Sequence, residues 1–202
     1  MKWIILALVA ALSISVQTAS AQNLEKAIFA GGCFWCVESD FDKVPGVVST
    51  TSGYTGGKTK NPTYKQVTYG DTGHYEAVEI TYDPAKVSYE ALLTAFWHSV
   101  DPTDDGGQFC DRGDSYRTAV FALNDKQRKA AEASRKAAQK VLDKPIVTPI
   151  LDAATFYPAE YYHQNYYKNN SFRYRYYRFS CGRDNRLRDL WGKNAFKGIP
   201  KN

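Results

Sequence analysis

Lys26-Ala-Ile-Phe-Ala-Gly-Gly-Cys-Phe-Trp-Cys36 is the stretch of sequence that decides the local fold, and the rest of the chain can be interpreted outward from it. Its first five residues have the apolar pattern of a short strand, and Gly31-Gly32 ends that strand. From Cys33 to about residue 43 the apolar residues recur at helical spacing. The stretch therefore predicts a strand, a sharp glycine turn and a helix that begins at Cys33.

The position of Cys33 at the start of a helix favours nucleophilic chemistry. Unpaired backbone N–H groups and the helix dipole stabilise an anion there, so we expect a lowered thiol pKa at Cys33. Phe34 and Trp35 follow directly and place two aromatic faces beside the sulfur. A charged nucleophile against an apolar wall suits a substrate with a small, soft, uncharged group such as a thioether methyl.

Strand patterns alternate with helical patterns along the rest of the chain. Strand-like segments occupy residues 47–50, 74–82, 118–123 and 147–151, and helical segments begin after Ser88 and at Asp125. Beyond Pro158 a short helix leads into an irregular, glycine-punctuated tail. This alternation predicts one domain of the α/β or α+β class, in which strands and helices form separate layers.

The first 21 residues are typical of a secretory signal peptide. Met1-Lys2 gives a positive start, residues 3–16 carry no charge, and Ala19-Ser20-Ala21 has the form of a cleavage site. An uncleaved membrane anchor is the alternative, but the apolar run is shorter than the roughly 20 residues that a spanning helix needs. We therefore expect a signal peptide over residues 1–21 and an exported domain over residues 22–202, with no stable membrane association after cleavage.

The charge balance of the chain is mildly basic. The formal net charge is +5, and it becomes +4 when the signal peptide is removed with its one lysine and no acidic residue. The late basic residues, which lie among tyrosines 174, 176 and 177, are Arg173, Arg175, Arg178, Arg183, Arg186 and Arg188. Arginine beside stacking aromatics can bind single-stranded nucleic acid. The modest charge and the predicted export favour a solvated, tyrosine-rich surface instead, with no nucleic-acid partner.

Four cysteines, at positions 33, 36, 110 and 181, leave several interpretations open. An even number after a signal peptide is consistent with two structural disulfides in a stapled binding module. A domain of about 180 residues can nevertheless form its core without disulfides. A thiol–disulfide oxidoreductase that uses Cys33 and Cys36 is a second alternative. A structural zinc site is a third, although the second close Cys or His pair that zinc would need is missing.

Five motifs in register resemble those of the A-type peptide methionine sulfoxide reductases. The first is Gly31-Gly-Cys-Phe-Trp-Cys36. The others, in chain order, are Pro62-Thr-Tyr64, Gly70-Asp-Thr-Gly-His-Tyr-Glu-Ala-Val78, Asp111-Arg-Gly-Asp-Ser-Tyr-Arg117 and Pro158-Ala-Glu-Tyr-Tyr-His-Gln164. The resemblance implies a two-layer α/β (α+β) sandwich with a mixed sheet, which we expect to end in the irregular C-terminal tail.

The resemblance also implies roles for individual residues. Cys33 is implied to be the nucleophile that attacks the sulfoxide sulfur and becomes a sulfenic acid. Glu76 is implied to protonate the departing oxygen, with help from hydrogen bonds of Tyr64 and Tyr116. This assignment is chemically sensible because a sulfoxide oxygen leaves poorly until it is protonated. A partly buried carboxyl has the raised pKa that such a proton donor needs.

Substrate binding is implied to involve three further residues. Phe34 and Trp35 would hold the substrate methyl by apolar contact, which contributes roughly 1 kcal/mol. Asp111 is implied to order the site through hydrogen bonds rather than to react. The family's preference for the S epimer would follow from one wall binding the methyl while the tyrosines and Glu76 fix the oxygen.

The sulfenic acid on Cys33 must be removed by a second thiol, which condenses with it to a disulfide. We assign Cys181 to this resolving role because it lies beside a glycine in the flexible tail, where resolving cysteines of the family often lie. Cys110, next to Asp111, is the more serious rival. Cys36 is close in sequence, but a bridge within a regular helix has poor geometry.

The reaction implied by the resemblance is reduction of methionine S-sulfoxide, either free or in oxidised proteins. A thioredoxin-like dithiol is the implied electron donor. We expect no metal, flavin or nicotinamide cofactor, and the chain has no G-x-G-x-x-G pattern that would indicate a dinucleotide. Together with the signal peptide, this predicts a periplasmic or secreted enzyme of protein repair.

Overall fold

The computed structural model describes residues 23–200, so the predicted signal peptide lies outside the described residues. The strands in this part of the chain are β1 (Glu25–Gly31), β2 (Val47–Thr55), β3 (Tyr75–Tyr82), β4 (Gly107–Gln108), β5 (Asp111–Arg112), β6 (Thr118–Ala122), β7 (Ile150–Asp152) and β8 (Tyr157–Pro158). The helices are α1 (Phe34–Phe41), α2 (Tyr64–Tyr69), α3 (Tyr89–Trp97), α4 (Asp125–Gln139), α5 (Tyr166–Asn169), α6 (Ser171–Ser180) and α7 (Arg183–Trp191).

Six strands form one mixed sheet in the order β7-β6-β1-β3-β2-β8. Neighbouring strands are antiparallel except β6 and β7, which are parallel. Strands β4 and β5 pair separately, in the segment between α3 and β6. The mixed sheet implied by the family resemblance is thus confirmed, although its edge strand β7 begins at Ile150 rather than at residue 147.

Strand β1 lies inside the sheet because both of its faces are apolar. Successive side chains of a strand point to opposite faces. Ala27 and Phe29 therefore join the main core, whereas Ile28 and Ala30 join a smaller cluster on the other face. The backbone of β1 pairs with β3 along one edge and with β6 along the other. The turn that carries Cys33 thus starts from a strand that is held on both faces and both edges.

Helices α1, α3 and α4 pack with the main-core face of the sheet. The ring of Phe29 lies 5.5 Å from that of Phe41 on α1 and 4.9 Å from that of Phe96 on α3. Helix α3 begins directly after Ser88, as the sequence predicted, and Ser88 caps it by accepting a hydrogen bond from the backbone N–H of Ala91. The layered arrangement of sheet and helices is confirmed.

The C-terminal tail is helical, which corrects the prediction of an irregular segment. Gly182, with a φ of +70°, joins α6 to α7 instead of ending the helical region, because glycine adopts left-handed backbone without strain. Leu187 and Trp191 lie four residues apart and bury one face of α7 in the main core. In α6 only Tyr174 is buried, so this helix lacks the apolar periodicity that would have indicated it.

Residues 23–200 have two further properties that concern membranes and oxidation. No helix in this range has both the length and the apolar character needed to cross a membrane. The range also contains no methionine, because the single methionine of the chain is Met1. The core is built from aliphatic and aromatic side chains.

Candidate active site

The turn between β1 and α1 places Cys33 at the N-terminus of the helix. Gly32 has a φ of +77°, and a Cβ at this position would lie 2.5 Å from the Cβ of Gln108, so only glycine fits. Cys33 has a non-helical backbone (φ −50°, ψ 116°). Its carbonyl accepts hydrogen bonds from the N–H groups of Cys36 and Val37, at 3.1 and 3.3 Å. Cys33 therefore stands at the first, capping position of α1, as predicted.

Glu76 lies on β3 directly beside this turn. The backbone N–H of Phe34 donates a hydrogen bond of 3.0 Å to its Oε2 atom. The side chain is 1% exposed, and this burial raises the pKa of Glu76 to about 8 although the hydrogen bond opposes the shift. The carboxyl group is therefore mainly protonated at neutral pH, in the form that can donate a proton.

Two tyrosines from separate elements meet at the same carboxyl group. Tyr64 is the first residue of α2, and Tyr116 closes a short 3₁₀ turn before β6. Their hydroxyls interact with each other, and that of Tyr116 also interacts with Glu76. Glu160 fixes the start of α2, since its Oε1 accepts a 2.8 Å hydrogen bond from the Tyr64 N–H and its Oε2 accepts one from the Tyr54 hydroxyl.

An aromatic wall lies on the other side of the thiol. Phe34 is buried, and Trp35 is partly exposed. The indole N–H of Trp35 donates a 3.1 Å hydrogen bond to Nδ1 of His163. The indole ring stacks on Tyr166 with 3.7 Å between ring centroids. The orientation of Trp35 is thus fixed from two sides by the segment that precedes α6.

These groups enclose a cavity of about 80 Å³. Its lining residues are Cys33, Phe34, Trp35, Tyr64, Glu76, Asp111, Tyr116 and Tyr177. Since one water occupies about 30 Å³ in the liquid, the cavity can hold a group of only a few heavy atoms. The structure thus brings together every predicted site residue except Cys181, and it adds Tyr177 from α6.

The two thiols of the turn form a buried pair. Cys33 and Cys36 are both free, and their side chains hydrogen-bond to each other. Burial raises the pKa of Cys33 well above its usual value, and the neighbouring Cys36, Glu76 and Asp111 raise it further. The hydrogen bond from Cys33 lowers the pKa of Cys36 to about 7. The prediction of a lowered pKa at Cys33 is therefore wrong, because burial and neighbouring acidic groups outweigh the helix terminus.

The other two cysteines are joined. Cys110 and Cys181 form a disulfide with 5.0 Å between their Cα atoms, and Cys110 is exposed. The free state of Cys33 and Cys36 excludes a module stapled by two disulfides. Asp111 links the bridge to the cavity, since its Oδ2 accepts a hydrogen bond from the Tyr177 hydroxyl and lies 3.9 Å from the Cys181 sulfur. Within residues 23–200, the only group with spacing suited to a metal ion is Cys110, Asp111 and Cys181, and its two sulfurs are bonded to each other.

Several contributors to the site were missed by sequence reasoning. Glu160 and His163 lie in a motif quoted above, but no role was given to them. Tyr177 is one of 15 tyrosines, and no spacing distinguished it. Arg183 was assigned to a solvated face, yet it is 1% exposed and donates hydrogen bonds to the carbonyl of Gly31, two residues before Cys33.

Comparison with known proteins decides the family to which this site belongs. The family model for peptide methionine sulfoxide reductase matches residues 25–195. The chain is a member of the peptide methionine sulfoxide reductase family. It is an enzyme, a methionine sulfoxide reductase of the A type. This result rules out the thiol–disulfide oxidoreductase alternative as its primary activity.

Individual relatives agree with this assignment of the reductase. The chain is 54% identical over 196 residues to a peptide methionine sulfoxide reductase, MsrA 2, of Caulobacter vibrioides. The match covers 95% of this chain and 100% of the relative. Methionine sulfoxide reductase A of Corynebacterium diphtheriae matches in structure with a TM-score of 0.68 and 33% identity, over 73% of this chain and 76% of the other. Mxr1 of Saccharomyces cerevisiae in complex with Trx2 matches with a TM-score of 0.51 and 22% identity, over 74% and 91%, which shows the fold alone.

Proposed function

We propose that Cys33 attacks the sulfur of methionine S-sulfoxide, free or within an oxidised protein, while Glu76 protonates the sulfoxide oxygen. The observation that carries this proposal is the 80 Å³ cavity that the Cys33 thiol, the Glu76 carboxyl and the hydroxyls of Tyr64 and Tyr116 line together. Because the pKa of Glu76 is raised to about 8, its proton is available at neutral pH. The cavity therefore places a nucleophile and an acid where both can reach the same sulfoxide group.

The two sides of the cavity differ in polarity, and this supports selection of one epimer. Glu76, Tyr64 and Tyr116 offer hydrogen bonds to an oxygen, whereas Phe34 and Trp35 offer apolar contact to a methyl. When oxygen and methyl are both fixed and the sulfur faces Cys33, the remaining substituent must leave toward the solvent. Only one configuration at sulfur satisfies all of these positions. The S epimer is assigned to it by resemblance to the family.

The chemical step balances within the site. The Cys33 sulfur gains the oxygen and becomes a sulfenic acid, and methionine leaves as a thioether. The substrate sulfur is reduced by two electrons, and Cys33 is oxidised by two. Asp111 orders the site through the Tyr177 hydrogen bond and does not react.

We assign to Cys181 the role of resolving the sulfenic acid on Cys33. Cys110 then attacks the disulfide that results. With both thiols reduced, Cys181 condenses with the sulfenic acid, so that a Cys33–Cys181 bond forms and water leaves. The Cys110 thiolate then attacks the Cys181 sulfur and returns Cys33 as a thiol. The bond left at the end is Cys110–Cys181, which is the pairing in the structure. A thioredoxin-like dithiol is the proposed donor, because Cys110 is exposed and can be approached by a second protein.

We also propose that the enzyme is exported and repairs oxidised proteins outside the cytoplasm. The support is the sequence of residues 1–21, with its charged start, uncharged run and Ala19-Ser20-Ala21. Terminal sequencing of the protein recovered from cell fractions tests this directly. A mature protein that begins at Gln22 and lies outside the cytoplasm is expected, and an uncleaved cytoplasmic chain would contradict it.

The activity itself is tested with separated R and S epimers of a methionine sulfoxide substrate and dithiothreitol as reductant. Turnover of the S epimer alone is expected, and it should fall as the pH rises through about 8 because ionised Glu76 has no proton to give. Equal turnover of both epimers would contradict the two-sided cavity. The disulfide formed after one turnover of fully reduced enzyme, located by mass spectrometry, decides the recycling route. A bridge from Cys33 to Cys36 would overturn the assignment of Cys181.

A further inference from the structure

Three aromatic side chains of α6 face the solvent along one stripe. Phe172, Tyr176 and Phe179 are 78%, 69% and 81% exposed. Their spacing of four and three residues places them on one side of the helix, away from Tyr174, which is the buried residue of α6. Single exposed apolar residues are common on protein surfaces, but a contiguous apolar patch marks an interaction site. The stripe is therefore a candidate docking surface.

The stripe leads to the Cys110–Cys181 bridge. Phe179 lies two residues before Cys181. At 1.5 Å per residue, the chain extends about 14 Å along the helix from Cys181 back to Phe172. Even a small interface between redox partners buries roughly 600 Å² on each protein, which corresponds to a circular patch with a radius of about 14 Å. The stripe thus lies within reach of a protein that covers the bridge in order to reduce it.

Two adjoining cavities between α6 and α7 carry an excess of positive charge. Their volumes are about 290 and 740 Å³. The charged residues that line them are Asp40, Lys43, Arg175, Arg178, Asp184, Arg188 and Lys193, with a net charge of +3. Both carboxylates of this set, Asp40 and Asp184, pair with Arg178. Arg175 and Arg188 are exposed, and no ion pair within residues 23–200 includes either of them.

The smaller cavity joins the aromatic stripe to this charge. It is lined by Phe179, the last ring of the stripe, and by Gly182, which follows Cys181 in the chain. Exposed aromatic rings and unpaired cations thus meet beside the bridge. Because opposite charges steer partners together, the partner that fits has apolar residues and an acidic border around its reactive group. We use the name docking face for the surface formed by Phe172, Arg175, Tyr176, Phe179 and Arg188.

The two sulfurs of the bridge differ as targets for an incoming thiolate. Cys110 is exposed, whereas Cys181 is half-buried. The backbone N–H of Cys110 donates a hydrogen bond of 3.1 Å to the Cys181 sulfur. This bond stabilises negative charge on the Cys181 sulfur when the bridge breaks, and a more stable thiolate leaves faster. Exposure and hydrogen bonding therefore both favour attack at Cys110, with Cys181 as the leaving group.

We propose that the docking face binds a dithiol protein with an acidic border around its active-site cysteines, and that a thiolate of this protein attacks the Cys110 sulfur. This inference rests on the proposed function, in which a dithiol protein reduces the bridge. A bond forms between the donor sulfur and Cys110 while the Cys110–Cys181 bond breaks, and Cys181 leaves as a thiolate. The second donor thiolate then attacks the first donor sulfur and releases Cys110. The donor loses two electrons, the bridge gains two, and the two donor protons end on Cys110 and Cys181.

The test compares a protein reductant with a small one. Reduced thioredoxin or dithiothreitol is supplied with free methionine S-sulfoxide as substrate, and KM and kcat for the reductant are measured. In the double variant Arg175→Glu/Arg188→Glu, the KM for thioredoxin should rise about tenfold or more, because two attractive charges become repulsive. Turnover with dithiothreitol should stay within about twofold of the wild type, since a small thiol needs no docking face. Phe179→Ala should raise the KM for thioredoxin about fivefold through loss of apolar contact.

The matched control is Lys126→Glu/Lys129→Glu, which makes the same change of charge at two exposed residues of α4. Lys126 lines a separate cavity beside Glu25, at the end of β1 away from Cys33. The KM of this control for thioredoxin should stay within about twofold of the wild type, because screening limits the reach of exposed charges to about 10 Å. Sodium chloride raised from about 50 to about 300 mM should increase the KM of the wild type and should not increase that of the docking-face double variant.

A wild-type KM for thioredoxin in Arg175→Glu/Arg188→Glu would overturn the inference, as would failure of thioredoxin to reduce the wild-type enzyme. If the double variant raises only the KM for an oxidised protein, the face binds substrate and the inference is wrong.

The sulfur that is attacked is identified with a thioredoxin whose second active-site cysteine is replaced by serine, which traps the mixed disulfide. Mass spectrometry should locate the trapped bond at Cys110, and a bond to Cys181 would contradict the proposed attack. Absence of turnover by the wild type with dithiothreitol would instead overturn the proposed function, whichever sulfur is trapped.

Discussion

Glu76→Gln should stabilise the fold, and the gain should grow as the pH rises. Glu76 has an ordinary pKa of 4.5 in the unfolded chain and a pKa of about 8 when folded, because burial disfavours the charged form. Between these two values the folded state binds the proton and the unfolded state does not. Stability therefore falls with rising pH through this window, and above about pH 8 the folded protein carries the whole cost of a buried carboxylate.

The size of the effect follows from the difference of about 3.5 pH units between 4.5 and about 8. At 1.36 kcal/mol per unit this amounts to about 5 kcal/mol, of which about 4 kcal/mol develops between pH 5 and pH 9. Glutamine is neutral in both states and has no such dependence. Its amide oxygen can still accept the hydrogen bond that the Phe34 N–H gives to Glu76. Relative to the wild type, the free energy of unfolding of the variant should thus increase by about 4 kcal/mol between pH 5 and pH 9.

Urea unfolding at pH 5, 7 and 9 measures this difference, with the Cys110–Cys181 bridge kept intact in both proteins. A gain of about 4 kcal/mol corresponds to a rise of roughly 1.5 M in the urea midpoint for a domain of this size. Glu79→Gln is the matched control, because Glu79 lies on the same strand but pairs with Lys26 near the surface. If the urea midpoints of Glu76→Gln and wild type differ by the same amount from pH 5 to pH 9, the reasoning is refuted.

Three further predictions concern the chemistry. Cys33→Ser should form no methionine in a single turnover followed by chromatography, since a hydroxyl does not ionise at neutral pH, and any stoichiometric product would contradict the nucleophile. In Cys110→Ser the reaction should stop after the first disulfide has formed, and a Cys33–Cys181 bridge should accumulate, which mass spectrometry detects. Free Cys181 at that stage would show that another thiol resolves the sulfenic acid. Tyr116→Phe should lower turnover about tenfold through loss of one hydrogen bond to the reacting oxygen, whereas Tyr69→Phe, exposed at the far end of α2, should leave steady-state rates unchanged.

The sequence predicted those parts of the site that lie close together along the chain. Gly31 to Cys36 could be interpreted because a strand, two glycines and a helix follow one another without interruption. The Ser88 cap was equally local, since its hydrogen bond reaches only three residues forward. Local patterns determine the positions of such residues, and the structure confirms them.

Other parts of the site depend on distant packing and carry no local signal. Tyr177 and Arg183 lie in a segment where arginine and tyrosine alternate, and the pattern does not distinguish an exposed member from a buried one. The pKa of Cys33 is a second example. The helix terminus can be inferred from the sequence, but the burial of the thiol and the approach of Glu76 and Asp111 arise only when β3 and β5 come together with the turn that carries Cys33.

The packed body of this enzyme lacks the residue that its own reaction repairs. Residues 23–200 contain no methionine, so an oxidant that converts partner proteins into substrates has no thioether to attack in this core. Sulfoxide formation turns a flexible apolar side chain into a polar one and disrupts hydrophobic packing. Methionine oxidation, which creates the substrates of the enzyme, therefore does not disrupt the core of the enzyme itself. Under oxidative exposure its capacity should be limited by the supply of reducing equivalents to its thiols rather than by loss of the protein itself.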